Sequence, residues 1–307
     1  MGSVGVINPL VSAARIARFT AVMYKPHYLL YGVLWVLALE GTASFVTQPD
    51  SAWRPTGATV VRIVVVAFVL LYLRMVDEQK DLEYDRVHNP DRPLVTGAVS
   101  GGELRVAMGL IAIGAIAGSL ALSVGSAVMI AVAMAYGLVL WGLEWLYATV
   151  RTNILVNLVV TYPVQLLVTG YIVVSAIDTG EVRPHWQAAA VAGIFAGAFL
   201  QFEFARKTSR ERRPDELLYS NVLGAKGSTV ASLLCAVAAV LCDIGLVQPW
   251  DYSPPGSLIA WLPAVLLLIP AFGALRFRDR VAYPALPAVV FILALYLTLI
   301  GQALALP

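Results

Sequence analysis

The chain has 307 residues, of which 59% are hydrophobic and only 13% charged, against roughly 25% charged in soluble domains. Mean hydropathy is +0.79, and apolar runs of about 20 residues recur throughout, which excludes a water-soluble globule and, because the runs do not alternate, an outer-membrane barrel. The net charge of +2 decides nothing by itself, and Cys235 and Cys242 share one apolar run, so neither a disulfide framework nor a zinc site is expected.

In chain order, residues 1–27 read as a short amphipathic segment at the membrane surface. Residues 7–19 have no long apolar core and no small-residue cleavage site follows, so a signal peptide is not expected. Met1-Gly2-Ser3-Val4-Gly5-Val6 misses the myristoylation pattern because position 6 is not Ser or Thr. Beyond it, nine apolar runs predict an all-α, polytopic bundle with spans at roughly 28–46, 58–75, 104–121, 126–146, 154–175, 187–204, 228–246, 257–275 and 283–304.

An odd number of spans puts the termini on opposite sides. Of the 21 basic residues, all but Arg54, Arg62 and Arg183 then fall on the N-terminal side. The positive-inside rule makes that side cytoplasmic and the C-terminus extracytoplasmic. Two cytoplasmic connections, 74–105 and 205–227, are long and charged and stand four helices apart. That spacing predicts one transmembrane domain of two four-helix halves plus a final helix.

The first charged connection carries five carboxylates in nine residues, Asp77-Glu78-Gln79-Lys80-Asp81-Leu82-Glu83-Tyr84-Asp85. If the second helix runs on, Asp77, Asp81 and Asp85 share a stripe at i, i+4 and i+8 with Glu78 beside them, and like charges so placed repel. Oxygen ligands alone select a hard cation such as Mg²⁺, whose shell is completed by water and phosphate oxygens. The other account is a solvated cap tempered by Lys80 and Arg86. A rigid turn follows, Arg92-Pro93-Leu94-Val95-Thr96-Gly97.

Asp77-Glu78-x-x-Asp81-x-x-x-Asp85 followed by Arg92-Pro93-x-x-x-Gly97 resembles the first signature of the UbiA-type intramembrane prenyltransferases, Asn-Asp-x-x-Asp-x-x-x-Asp and then Arg-Pro-x-x-x-Gly. Two positions differ: Asp stands for Asn at 77 and Glu for Asp at 78. The resemblance covers about 25 residues in motif and most of the chain in layout. It implies a nine-helix UbiA-like fold and Mg²⁺ bound through Asp77, Glu78, Asp81 and Asp85. It further implies an isoprenyl diphosphate held by basic residues, among them Lys80 and Arg92, with its tail between the helices.

Between the charged connections, Tyr147-x-x-x-Arg151 resembles a Tyr-x-x-x-Lys/Arg element of the family that faces the diphosphate; an interfacial anchor pair is the other reading. Asn153 and Asn157 share a face, followed by Tyr162 and Gln165, either lining a cavity or joining helices. Lys25, just before the first span, is either a phosphate contact or an anchor. Tyr136, Trp141 and Trp145 are candidate walls for a hydrocarbon chain or stabilisers of a cation, with core packing as the default. His27, His88 and His185 are scattered and form no constellation.

The family's second signature, Asp-x-x-Asp-x-x-x-Asp, meets Glu203-Phe204-Ala205-Arg206-Lys207-Thr208-Ser209-Arg210 here. Only the first acid survives, as Glu203, so a complete second metal site is in doubt. Arg206 and Lys207 offer direct contacts to phosphate oxygens instead. Arg212 and Arg213 read as headgroup anchors, and Tyr219-Ser220-Asn221-Val222-Leu223-Gly224 is similar to the family's turn into the seventh helix.

The expected activity is Mg²⁺-assisted ionisation of an isoprenyl diphosphate and transfer of the prenyl group to an unidentified acceptor. The alternative is capture of the cation by its own double bonds, as in a membrane terpene cyclase. The candidate catalytic and metal-binding set is Asp77, Glu78, Asp81, Asp85 and Glu203. The candidate substrate contacts are Lys25, Lys80, Arg92, Tyr147, Arg151, Asn157, Arg206 and Lys207. The bilayer is the expected surrounding, with no nucleic acid partner. A transporter is the non-enzyme rival, but Glu40, Arg62, Glu144 and Asp243 all fall near span ends rather than at the midplane.

Overall fold

Every backbone polar group inside a bilayer needs an internal partner, and a chain with this many apolar runs meets that demand with helices. The computed structural model describes residues 9–49, 51–214 and 216–306; the Met1–Val6 stretch lies outside them. In order come α1 (Pro9–Met23), α2 (Pro26–Thr47), α3 (Gly57–Lys80), α4 (Leu82–His88), α5 (Gly101–Leu120), α6 (Val124–Leu146), α7 (Ala148–Thr152) and α8 (Ile154–Thr161). They are followed by α9 (Pro163–Asp178), α10 (Trp186–Ala190), α11 (Ala192–Arg206), α12 (Tyr219–Val247), α13 (Gly256–Leu266), α14 (Leu268–Phe277) and α15 (Ala285–Ala305). Extended pairing among the described residues is limited to one isolated antiparallel bridge, Ser209 with Ala282.

Among the described residues these helices make nine spans long and apolar enough to cross a bilayer. The protein is an all-α, multi-pass integral membrane bundle. α8 with α9, α10 with α11, and α13 with α14 each serve as one broken span; Pro163 opens α9, where its missing N–H is tolerated. Two ends differ from the sequence expectation. α3 runs on to Lys80, because charge marks the edge of the bilayer and not the end of a helix, and α12 opens with a turn from Tyr219 that Gly224 (φ 70°, ψ 161°) breaks from the apolar stretch beyond it.

α2 is the inner helix, packed against α3, α9, α10 and α15, with Trp35, Val36, Leu39 and Ala43 buried. α11 and α12 lie so close that a Cβ on Gly197 would meet Cys235 O at 2.7 Å and Ala239 N at 2.8 Å, so only glycine fits there. α1 lies against α5. Ser12 Oγ donates to Glu103 Oε1 at 2.8 Å, while Glu103 Oε2 accepts from Ser100 N, also at 2.8 Å, in the capping box that starts α5.

At the end of the bundle remote from the acidic run, a polar clasp ties α2, α3 and α9 together. Arg62 Nη1 donates to Glu40 Oε2 at 2.5 Å, and both side chains are fully buried. Thr59 Oγ1 and Trp53 Nε1 donate to Glu40 Oε1 at 2.7 and 3.1 Å. Arg62 Nε reaches Ser175 Oγ at 2.9 Å, and Nη2 reaches Glu181 Oε2 at 2.8 Å. With Thr56 Oγ1 donating to Glu181 Oε1 at 2.7 Å, the acids' oxygens are all used.

Removing one partner of such a pair leaves a buried, uncompensated charge, at about 3–5 kcal/mol. Arg62→Leu is therefore expected to destabilise the purified protein by that amount in a reversible denaturation assay, and Arg62→Leu combined with Glu40→Leu and Glu181→Gln, which removes both partner charges, by much less. Burial raises the Glu181 carboxyl, but hydrogen bonds from Thr179 and Thr56 and the Arg62 charge outweigh it and leave the group below its ordinary value. A depressed folded value contributes stability at neutral pH that is lost as pH falls through it. Unfolding followed from pH 7 downwards should show that loss, and Glu181→Gln should flatten it.

Candidate active site

α3 carries the acidic run to the other end of the bundle, where the helix is interrupted at Asp81 (φ −91°, ψ 7°) before α4 begins. Asp77, Glu78, Asp81 and Asp85, the four candidate ligands of the first connection, therefore do not act as one stripe. Asp77 and Asp81 turn to a cavity, whereas Glu78 and Asp85 turn away to Arg92. Arg92 Nη1 donates to Glu78 Oε1 at 3.0 Å and to Asp85 Oδ2; Arg74 Nη2 donates to the same Glu78 oxygen at 2.5 Å. Asn89 Nδ2 donates to Asp85 Oδ1 at 2.8 Å. The turn that aims Arg92 closes with Thr96 N donating to Arg92 O at 2.9 Å and depends on Gly97, whose φ of +73° favours glycine.

The cavity, about 410 Å³, opens between α3, α6, α8, α9 and α11. Its charged lining is Asp77, Lys80 and Asp81 from the first connection and Glu203, Arg206 and Lys207 from the second, so the fold brings the two motifs to one mouth. Lys80 Nζ lies 2.8 Å from Asp81 Oδ1, 3.2 Å from Glu144 Oε2 and 3.7 Å from Asp77 Oδ1. Asn157 Nδ2 donates to Glu144 Oε1 at 3.4 Å. On α11, Glu203 Oε1 takes Lys207 Nζ at 2.8 Å and the Tyr219 hydroxyl at 3.5 Å, while its Oε2 takes Arg206 Nε at 2.6 Å.

Below the charged rim the lining is apolar and aromatic. It is made by Leu70, Leu73 and Val76 of α3, Gly137 and Leu140 of α6, Tyr31 and Trp35 of α2, and Tyr162, Gln165 and Phe199. A charged mouth over an apolar interior suits an amphiphile with an anionic head and a hydrocarbon tail.

Of the sequence-derived contacts, Lys80, Asn157, Arg206 and Lys207 line this cavity; Lys25, Arg92, Tyr147 and Arg151 do not. Tyr147, Arg151 and Lys25 are exposed. Tyr136, Trp141 and Trp145 also stand outside the lining, with Tyr136 Oη donating to Val160 O at 2.8 Å. Glu144, Tyr31, Trp35 and Phe199 were not singled out as site residues by spacing. Glu144 had one usable signal, a carboxylate in an apolar helix that needs a cation.

A hard cation can be tested against these donors. Among the described residues, no three acids, histidines or cysteines stand together as a ligand group. Asp77 and Asp81 remain 48% and 38% exposed and present oxygens to the mouth. One or two carboxylates plus phosphate oxygens and water are what Mg²⁺ needs, so this pair fits. Glu203 is only 8% exposed and both its oxygens are engaged by its own cations; it fits the role of an anchor for Arg206 and Lys207 instead.

No family model matches the chain, and no curated protein does either. Solved structures do. The apo structure of a UbiA homologue from Aeropyrum pernix K1 aligns with TM-score 0.61 at 17% identity, over 88% of this chain and 96% of that one. A structure described as digeranylgeranylglyceryl phosphate synthase in membranes aligns with TM-score 0.60 at 15% identity, over 95% and 99%. A UbiA homologue from Archaeoglobus fulgidus bound to GPP and Mg²⁺ aligns with TM-score 0.56, again at 15% identity, over 91% and 97%. This chain has the UbiA-like fold along nearly its whole length.

Proposed function

We propose that the protein is a membrane prenyltransferase that ionises an isoprenyl diphosphate at the charged mouth and transfers the prenyl group to an acceptor. One observation carries this reading: the two charged connections, far apart in sequence, line one mouth above one apolar cavity. The structural neighbours that bind GPP or DMAPP with Mg²⁺ support it, as does the synthase of the same fold.

Asp77 and Asp81 would hold Mg²⁺, which supplies Lewis-acid neutralisation of the leaving diphosphate when bound. Lys80 sits between the two carboxylates and limits their repulsion. Arg206, with its planar fork, and Lys207, a mobile point charge, face phosphate oxygens directly. Glu203 fixes both at the mouth. Arg92 orients the connection by pinning Glu78 and Asp85. The departing electron pair goes to the diphosphate oxygen, and the apolar side chains of α3 and α6 keep water from that side of the allylic carbon. The mouth faces the cytoplasm in this reading, because most of the basic residues lie on its side.

Three outcomes test it. Asp81→Ala should cost at least about a hundredfold in kcat, the scale of losing a preorganised electrostatic contact to developing charge, and excess chelator should abolish turnover of geranyl diphosphate. Full activity under either condition would refute the metal role. Arg206→Gln should raise KM about tenfold with kcat largely kept, since a cation touching phosphate in ground and transition states alike contributes uniform binding; an unchanged KM would make Arg206 a headgroup anchor. Reporters fused after Pro307 and inserted near Pro90 should read extracytoplasmic and cytoplasmic respectively, and both on one side would overturn the orientation.

A further inference from the structure

Lys80 stands where the proposed metal would. Its Nζ lies 2.8 Å from Asp81 Oδ1 and 3.7 Å from Asp77 Oδ1, between the two carboxylates assigned above to Mg²⁺. That ion sits about 2.1 Å from each oxygen it binds, and an ammonium left between those oxygens would repel it at close range. Lys80 and the metal therefore exclude one another, and loading the site requires another partner for Lys80.

One such partner is already in contact. Lys80 Nζ also donates to Glu144 Oε2 at 3.2 Å, and Glu144 comes from α6, outside both charged connections. Glu144 is 7% exposed. Its Oε1 accepts from Asn157 Nδ2 at 3.4 Å, and that amide is steadied by Val150 O at 3.1 Å. Among the described residues Lys80 is the only cation paired with Glu144.

Burial decides which partner Lys80 keeps. Asp77 and Asp81 are partly exposed and can exchange the ammonium for water or a metal. Glu144, on a helix that crosses the bilayer, would be left with a neutral amide alone. The three carboxylates within reach of Lys80 carry, with it, an excess of two negative charges, which one divalent cation cancels.

We propose that Lys80 is an internal counter-ion holding the metal's place in the unloaded mouth, and that Glu144 is the positioning residue that takes Lys80 over as the metal enters. Loading is an exchange: Lys80 gives up Asp77 and Asp81 and swings on its four-carbon stem to Glu144. No buried charge is stranded, and the affinity of the mouth for a divalent cation is set by this competition. The proposal rests on the metal reading above.

The test titrates Mn²⁺, followed by electron paramagnetic resonance, into the full-length detergent-purified protein with no diphosphate present. Lys80→Gln, which removes the competitor, is expected to bind Mn²⁺ about tenfold more tightly than the parent. Glu144→Gln, which removes the alternative partner, should bind it about tenfold more weakly. The two effects should not add: the double variant should bind as tightly as Lys80→Gln, because Glu144 acts only through Lys80. A carboxylate acting on the metal through charge alone would weaken binding equally in both backgrounds. The double variant, unchanged in net charge, would then match the parent, and that result overturns the proposal. Thermal unfolding shows whether Lys80→Gln still folds with Glu144 unpaired. If it does not, the double variant carries the comparison, tighter than the parent or level with it. Asp81→Ala is titrated alongside. Mn²⁺ binding that survives it in full would overturn the metal reading and the exchange with it, whereas Asp81-dependent binding with additive variant effects would overturn the exchange alone.

Discussion

The bilayer core offers a carboxylate neither water nor counter-ion, so the deeply buried acids of this chain need partners supplied by the protein itself. At one end the answer is a closed clasp, Glu40 with Arg62 and its ring of donors, in which every charge is used up holding α2, α3 and α9 in place. At the other end one member of each pair is partly exposed. Asp77 and Asp81 share Lys80, and Glu203 shares Arg206 and Lys207. The first arrangement fixes the bundle and the second leaves charge available at a cavity mouth.

Charge counting at the mouth gives this contrast a direction. Three acids line it, Asp77, Asp81 and Glu203, and three bases, Lys80, Arg206 and Lys207. The mouth is thus balanced when nothing is bound. A single divalent cation on the aspartates would tip it to an excess of two positive charges, the sign that attracts a diphosphate. In the family pattern the positions of Arg206 and Arg210 are acids. In the proposed reading, a guanidinium at 206 would itself bring the positive charge that a second cation brings where a carboxylate stands. The fold tolerates that exchange because the backbone of α11 is set by its packing on α12 through Gly197, not by the charges at its end.

How much of this was legible in the sequence follows from which physical signal each feature has. Spans were legible because transfer of apolar side chains to lipid is a local property, read along the chain. Their ends were less so: Tyr219, Ser220 and Asn221 form a short helical turn ahead of the break at Gly224, before the apolar run that marks the span. Stripe geometry was readable only conditionally. Asp77 and Asp81 stay together, but the interruption at Asp81 sends Asp85 to Arg92, and no spacing rule foretells a break of that kind. Glu40 and Arg62 were placed near their span ends, while their pairing was invisible because it depends on which helices are neighbours. The same limit separates Asn157, which reaches the cavity, from Tyr147 and Arg151, which share its stretch of sequence and remain exposed.

The inner wall of the cavity bears on the chemistry at the mouth through water. Buried polar atoms without partners draw water into an otherwise apolar space, and Trp35, Tyr162 and Gln165 each bring one to this lining. In the prenyl-transfer reading proposed above, water held there would compete for the allylic cation and give an alcohol, so transfer would prevail over hydrolysis only with the inner half of the cavity filled.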